Sequence, residues 1–296
     1  MIQAVTRIAT VWRVLAAAAL VGVVATLLPR RLHERGTART PEPTAVPFLA
    51  VPPDSAFTGP IVAQHRVGDY VIRIYVDTVS DERIVEVARA GRRAFAARAA
   101  SIELDHIGRD ITGDGVPDLV VTEFTGGMHC CTLVVVLGLG DSLRVHGTID
   151  GADGEVEFED LDRDGVVEAR LQDWRFAYWR DYPFVETQAP EVILRFRNGS
   201  YGPACDLMRK AAPDSAALAA RARELRDHWE DGDPPADLYG YAVDLVYQGH
   251  ADLAWLFLDV AWPPGIPGKA DFIRDLRAQL SDSPCWSEPP SPRRAT

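Results

Sequence analysis

Asp110-Ile111-Thr112-Gly113-Asp114-Gly115-Val116-Pro117-Asp118 and Asp160-Leu161-Asp162-Arg163-Asp164-Gly165-Val166-Val167-Glu168 share one pattern, with oxygen-bearing side chains at alternate positions and a glycine directly after the third. A hard cation takes six to eight oxygens at about 2.3–2.6 Å, and the pattern supplies them in order. Positions 1, 3, 5 and 9 offer Asp110, Thr112, Asp114 and Asp118 in the first loop, and Asp160, Asp162, Asp164 and Glu168 in the second. Position 7, Val116 or Val166, offers a carbonyl, and Gly115 or Gly165 allows the sharp turn. Ca²⁺ is the cofactor this spacing predicts. The competing reading is that Asp and Gly make tight hairpins with no ion at all.

Neither loop carries an acid at position 12, where Val121 and Leu171 stand, so neither belongs to a helix–loop–helix site. Each runs instead into an apolar stretch, Leu119-Val120-Val121 or Val166-Val167 with Leu171, as a loop feeding a strand does. The fifty-residue spacing between the loops is that of a repeat whose units need a neighbour to bury a face.

The stretches "DITGDGVPDLVV" and "FEDLDRDGVVEARL" resemble the FG-GAP/VCBS class of calcium-looped β repeats. With "GGMHCC", "WRFAYW", "APEVILRFRNGSY" and "WLFLDVAWP", the span from about Gly68 to Trp286 is similar to uncharacterised bacterial exported proteins built around such loops. The resemblance implies Ca²⁺-stabilised β structure used in adhesion or surface recognition, with Asp110, Asp114, Asp118, Asp160, Asp162, Asp164 and Glu168 on ligand positions. Thr112 departs from the Asp or Asn usual there, and two loops are too few for a closed propeller.

Four cysteines, Cys130, Cys131, Cys205 and Cys285, suggest two disulfides in an exported chain, with three connectivities open. On a strand Cys130 and Cys131 would face opposite ways, and in the loop after Gly126-Gly127 they would bridge each other. The preferred pairing ties Cys205 to Cys285 and leaves Cys130 with Cys131. The resemblance agrees, since the adjacent pair belongs to its "GGMHCC" motif. His129 beside these thiols lacks the spacing of a zinc centre.

The formal net charge is −12, and the first forty residues hold six Arg and one Glu, so the acidic excess lies in the remainder. That balance excludes an electrostatic footprint for nucleic acid. Arg7 and Arg13 precede an apolar run from Val14 to Leu28, which reads as an export signal or membrane anchor over residues 1–30. Val23-Val24-Ala25 offers a cleavage site, but Leu27 and Leu28 continue the run and favour an anchor. Arg30, Arg31, Arg35 and Arg39 would hold that side in the cytoplasm, whereas a calcium loop of modest affinity fills only at the millimolar levels outside. The expected location is therefore extracytoplasmic, tethered to the membrane, with residues 31–60 as a proline-rich spacer.

The expected fold is α+β. Residues 61–205 form antiparallel sheets containing two propeller-blade-like repeats, residues 206–286 a small helical bundle, and residues 287–296 a tail. Strands are predicted at Tyr70–Val76, Arg83–Ala88, Ala94–Ala99, Thr132–Leu137, Leu143–Ile149, Val156–Asp160 and Val192–Arg197, with an Asn198-Gly199 hairpin turning into Tyr201. Four helices are predicted from the faces Leu218/Ala222/Leu225/Trp229, Leu238/Tyr241/Ala242/Leu245/Val246, Leu253/Leu256/Phe257/Val260 and Phe272/Ile273/Leu276/Leu280.

Enzyme motifs are lacking: there is no Gly-x-Ser-x-Gly, phosphate loop or His-Glu-x-x-His. Glu123 and His129 could form an acid/base pair, the basis for a rival reading as an extracytoplasmic hydrolase with structural calcium. A third reading is a structural envelope component. The better functional candidate is the aromatic cluster with Trp174, Tyr178, Trp179 and Tyr182, whose rings could stack on a glycan or clasp an envelope protein. The alternation of Trp174, Phe176 and Tyr178 also suits one strand face filling the core, the more economical explanation.

Overall fold

The computed structural model describes residues 57, 59–127, 131–229 and 234–286. Among them are three antiparallel sheets of four strands, followed by five helices. The first sheet is a meander of β1 (Ile61–Val67), β2 (Tyr70–Val76), β3 (Arg83–Arg89) and β4 (Arg92–Ala99). The second runs β5 (Ser101–Asp105), β6 (Asp118–Phe124), β7 (Thr132–Leu139) and β8 (Leu143–Ala152). The third runs β9 (Glu157–Glu159), β10 (Glu168–Gln172), β11 (Glu191–Arg197) and β12 (Ser200–Pro203). Each strand pairs only with its neighbours in sequence, so three copies of one supersecondary unit follow one another.

The acidic loops occupy the same place in two of these units, joining the first strand to the second. In the first unit that connection is the tight turn Gly68-Asp69. Expectation and structure thus differ in count, three meanders against two, because an acidic motif marks only the copies that carry it.

The second sheet is the middle layer. Leu119, Val121, Val135 and Leu137 pack with Ile72, Val85, Val87 and Ala97 of the first sheet. The alternate residues Val120, Val134, Val136 and Ile149 join a separate core with Val167, Ala169 and Val192 of the third sheet. Burial on both faces is why β7 reads as an unbroken apolar run.

The helices are α1 (Cys205–Met208), α2 (Ser215–Asp227), α3 (Ala236–Tyr247), α4 (Ala251–Ala261) and α5 (Lys269–Leu280). Asp214 caps α2 by accepting from the Ala217 N–H at 2.8 Å. Leu218, Leu238, Phe257 and Phe272 share one core with the third sheet, and the helices also pack on one another, α4 against both α2 and α3. Cys205 and Cys285 form a disulfide across a sequence separation of 80, tying α1 to the segment after α5.

Two local expectations are corrected. On α4 the buried residues are Ala254, Phe257, Leu258 and Ala261, while Leu256 and Val260 are exposed. Ala-Asp-Leu-Ala-Trp-Leu-Phe-Leu-Asp-Val-Ala is apolar nearly all round, so periodicity cannot choose its face. Residues 174–186 are three 3₁₀ turns in place of a strand. Left-handed backbone at Tyr178, Arg180 and Asp181 breaks the alternation.

Among the described residues no helix is long and apolar enough to cross a membrane. The apolar run 14–28, the spacer before Phe57, His129, Cys130 with its expected bond to Cys131, and the tail lie outside the described residues.

Candidate metal centre

The two acidic loops follow one backbone course. Position 4 is left-handed in both, at Gly113 (φ 72°) and Arg163 (φ 64°), and so is position 6, at Gly115 (φ 84°) and Gly165 (φ 92°). Asp110 accepts from the Gly115 N–H at 2.9 Å, and Asp160 from the Gly165 N–H at 3.1 Å. Asp114 and Asp164 each accept from the N–H two residues on, Val116 and Val166, at 2.9 Å. At position 9, Asp118 Oδ2 accepts from the Ile111 N–H at 2.9 Å and Glu168 Oε2 from the Leu161 N–H at 3.0 Å. The loops also touch, through a 2.8 Å hydrogen bond from the Val167 N–H to the Ile111 carbonyl. These bonds keep each turn closed with carboxylates lining it, and a carboxylate has lone pairs left over for a cation.

The surroundings of the two loops differ. In the first, Asp118 is fully buried and its Oδ1 has no hydrogen-bond partner. Burial raises its pKa, against the pull of the Ile111 and Thr112 N–H groups, the Thr112 hydroxyl and His146. The Thr112 hydroxyl donates to Asp118 Oδ2 at 3.1 Å, so this expected ligand is already engaged.

Facing Asp118 is His146 of β8, which sequence reasoning missed. Its Nε2 stands 3.4 Å from Asp118 Oδ1 and 3.6 Å from Asp114 Oδ2. The ring is 6% exposed, and Nε2 too has no hydrogen-bond partner. To get there it crosses β7 at Gly138, where a Cβ would lie 2.2 Å from Nε2. That lone glycine in the run Thr-Leu-Val-Val-Val-Leu-Gly-Leu was the available signal, since glycine inside a strand often marks close approach.

In the second loop Asp160, Asp162 and Glu168 bring carboxylate oxygens within 4.8 Å of one another. Here the facing residue is Arg195 of β11, 7% exposed, whose Nε donates to Glu168 Oε1 at 2.7 Å and whose Nη2 pairs with Asp162 Oδ2. Nη1 reaches Asp206 at 3.5 Å. Burial works against the Arg195 charge, and Glu168, Asp162 and Asp206 more than restore it, leaving its pKa raised.

Both clusters could hold a metal ion. The first suits a cation in particular, because the buried Asp118 Oδ1 and His146 Nε2 both want a partner. Asp110 and Asp164 stand outside the two tight groups, Asp110 accepting from the Gly113 and Gly115 N–H groups and Asp164 from that of Val166.

The aromatic candidates separate. Trp179 and Tyr182 are buried beside Tyr239, and Trp179 also meets Phe272, so these two are core residues and not exposed rings. Tyr178 is exposed, and Trp174 stacks on Phe184 with centroids 5.4 Å apart while lining a cleft of about 360 Å³ with Asp150, Gln172, Asp173 and Arg175. Glu123 is fully buried on β6 with neither carboxylate oxygen hydrogen-bonded, and burial pushes its pKa up to about 7. Comparison of the chain with protein-family models, curated proteins and solved structures found no match.

Proposed function

We propose that this chain is an exported, non-catalytic binding module whose stacked β meanders are stiffened by divalent cation bound where the acidic loops meet. The observation that carries the reading is the hydrogen-bond plan made twice, in loops that touch, around carboxylates of which Asp118 keeps a buried oxygen without a partner. Ca²⁺ is the ion of the FG-GAP/VCBS class that the loop sequences resemble, and the four-stranded meanders are of the kind that build propeller blades. The disulfide is of the kind extracytoplasmic proteins keep. The cleft beside Trp174, with Gln172, Asp173 and Arg175 at hand, suits a glycan or an extended segment of an envelope protein.

Thermal unfolding of the full chain in millimolar Ca²⁺ and in chelator tests this. Calcium at a hundred times its dissociation constant adds about 2.7 kcal/mol per occupied site, which raises the midpoint by several degrees. The Asp114→Ala/Asp164→Ala double variant should lose that rise. An identical midpoint with calcium and with chelator would overturn the calcium reading of the loops.

A further inference from the structure

The two loops have the same backbone and opposite partners, and this difference carries a second conclusion, which rests on the reading of the loops as cation seats. In the second loop the seat between Asp162 and Glu168 faces a guanidinium. Arg195 is buried, always charged, and bonded to both carboxylates, so it supplies from within the chain the positive charge that an ion would bring. A metal entering there would have to displace a buried arginine and leave it without those partners, at a cost characteristic of a broken buried ion pair.

In the first loop the corresponding residue is an imidazole whose Nε2 has no hydrogen-bond partner and stands at ion-pair distance from Asp118 and Asp114. With its proton on Nδ1, His146 presents a lone pair at Nε2, and that atom, Asp118 Oδ1 and Asp114 Oδ2 lie within 4.8 Å of one another. Edge-on packing against Phe196, centroids 4.9 Å apart, and the absent side chain at Gly138 hold the ring in that place. Carboxylates with one imidazole are a mixed oxygen–nitrogen donor set. Ca²⁺ gains little from the nitrogen, whereas first-row transition ions bind imidazole well.

We propose that the first loop is a single transition-metal site, formed by Asp114, Asp118 and His146 and taking a divalent ion of the Mn²⁺ or Zn²⁺ kind in preference to Ca²⁺. The second loop takes no metal, because Arg195 is its resident cation.

Titration of the chelator-treated full chain with Mn²⁺ and with Ca²⁺ by calorimetry tests both halves. One Mn²⁺ should bind per chain, more tightly than Ca²⁺. His146→Gln should weaken Mn²⁺ by at least about tenfold while changing Ca²⁺ affinity far less. Arg195→Gln should open a second site. Electron spin echo spectroscopy of the wild-type Mn²⁺ complex needs no variant, and should show modulation from a directly bound imidazole nitrogen. Two ions per wild-type chain, or a Mn²⁺ spectrum without nitrogen coupling, would overturn this assignment and leave the loops as cation seats. Binding of neither ion would overturn the cation reading itself.

Discussion

His146 reaches Asp118 only because residue 138 carries no side chain. Gly138→Ala should therefore push the ring out of the first loop, destabilising the fold by about 1–3 kcal/mol, the usual cost of overpacking. Denaturant midpoints would measure that cost, and a Mn²⁺ titration would fall together with it. Glu123 offers a separate test, remote from the loops. Its carboxyl titrates at about 7 in the folded chain against 4.5 for a free side chain. Between those values the folded state holds a proton that the unfolded state has released, so the contribution of Glu123 to stability is complete below pH 4.5 and is lost as pH rises through 7. The decline should total about 3 kcal/mol, and Glu123→Gln, which cannot ionise, should flatten it and unfold later than wild type at pH 8. Melts of both proteins at pH 5 and pH 8 would decide.

Strands and helices were largely legible before the structure. β2, β3, β4, β7 and β11 lie within a residue or two of their apolar runs, β8 runs three residues past its own, and Asn198-Gly199 turns β11 into β12 as a two-residue hairpin should. The failures were equally local. Helix α4 has too many apolar residues for its period to point anywhere, and the 174–186 segment alternates by coincidence while left-handed residues coil it. Phe257→Ala should cost about 3–5 kcal/mol, whereas Leu256→Ser should stay within about 0.5 kcal/mol, a contrast that urea midpoints would reveal. The Cys205–Cys285 bridge clips α1 to the far end of the helical region. Cys205→Ser/Cys285→Ser should lose about 2–5 kcal/mol, read as a fall in melting temperature that reducing agent reproduces in the wild type.

The second sheet is buried on both faces, and the core on its far side runs without a break through the third sheet into the helices. The β and helical parts should consequently unfold in one transition. A chain ending at Pro203 would take Leu218, Leu238, Phe257 and Phe272 out of the core they share with the third sheet, and should bind a hydrophobic dye and melt without a cooperative step. Calorimetry beside dye fluorescence on the two lengths would check this. The sequence by itself determined the acidic loops, the strands they feed, the helical region and the acidic balance, because each is written in neighbouring residues whose spacing carries its own physics. Only the tertiary structure decided that the described residues make three meanders and that the two loops touch. It alone set His146 opposite one seat and Arg195 opposite the other. Those partners lie between 27 and 33 residues from the acids they face, and no local pattern records which side chain a folded sheet will carry across to a loop.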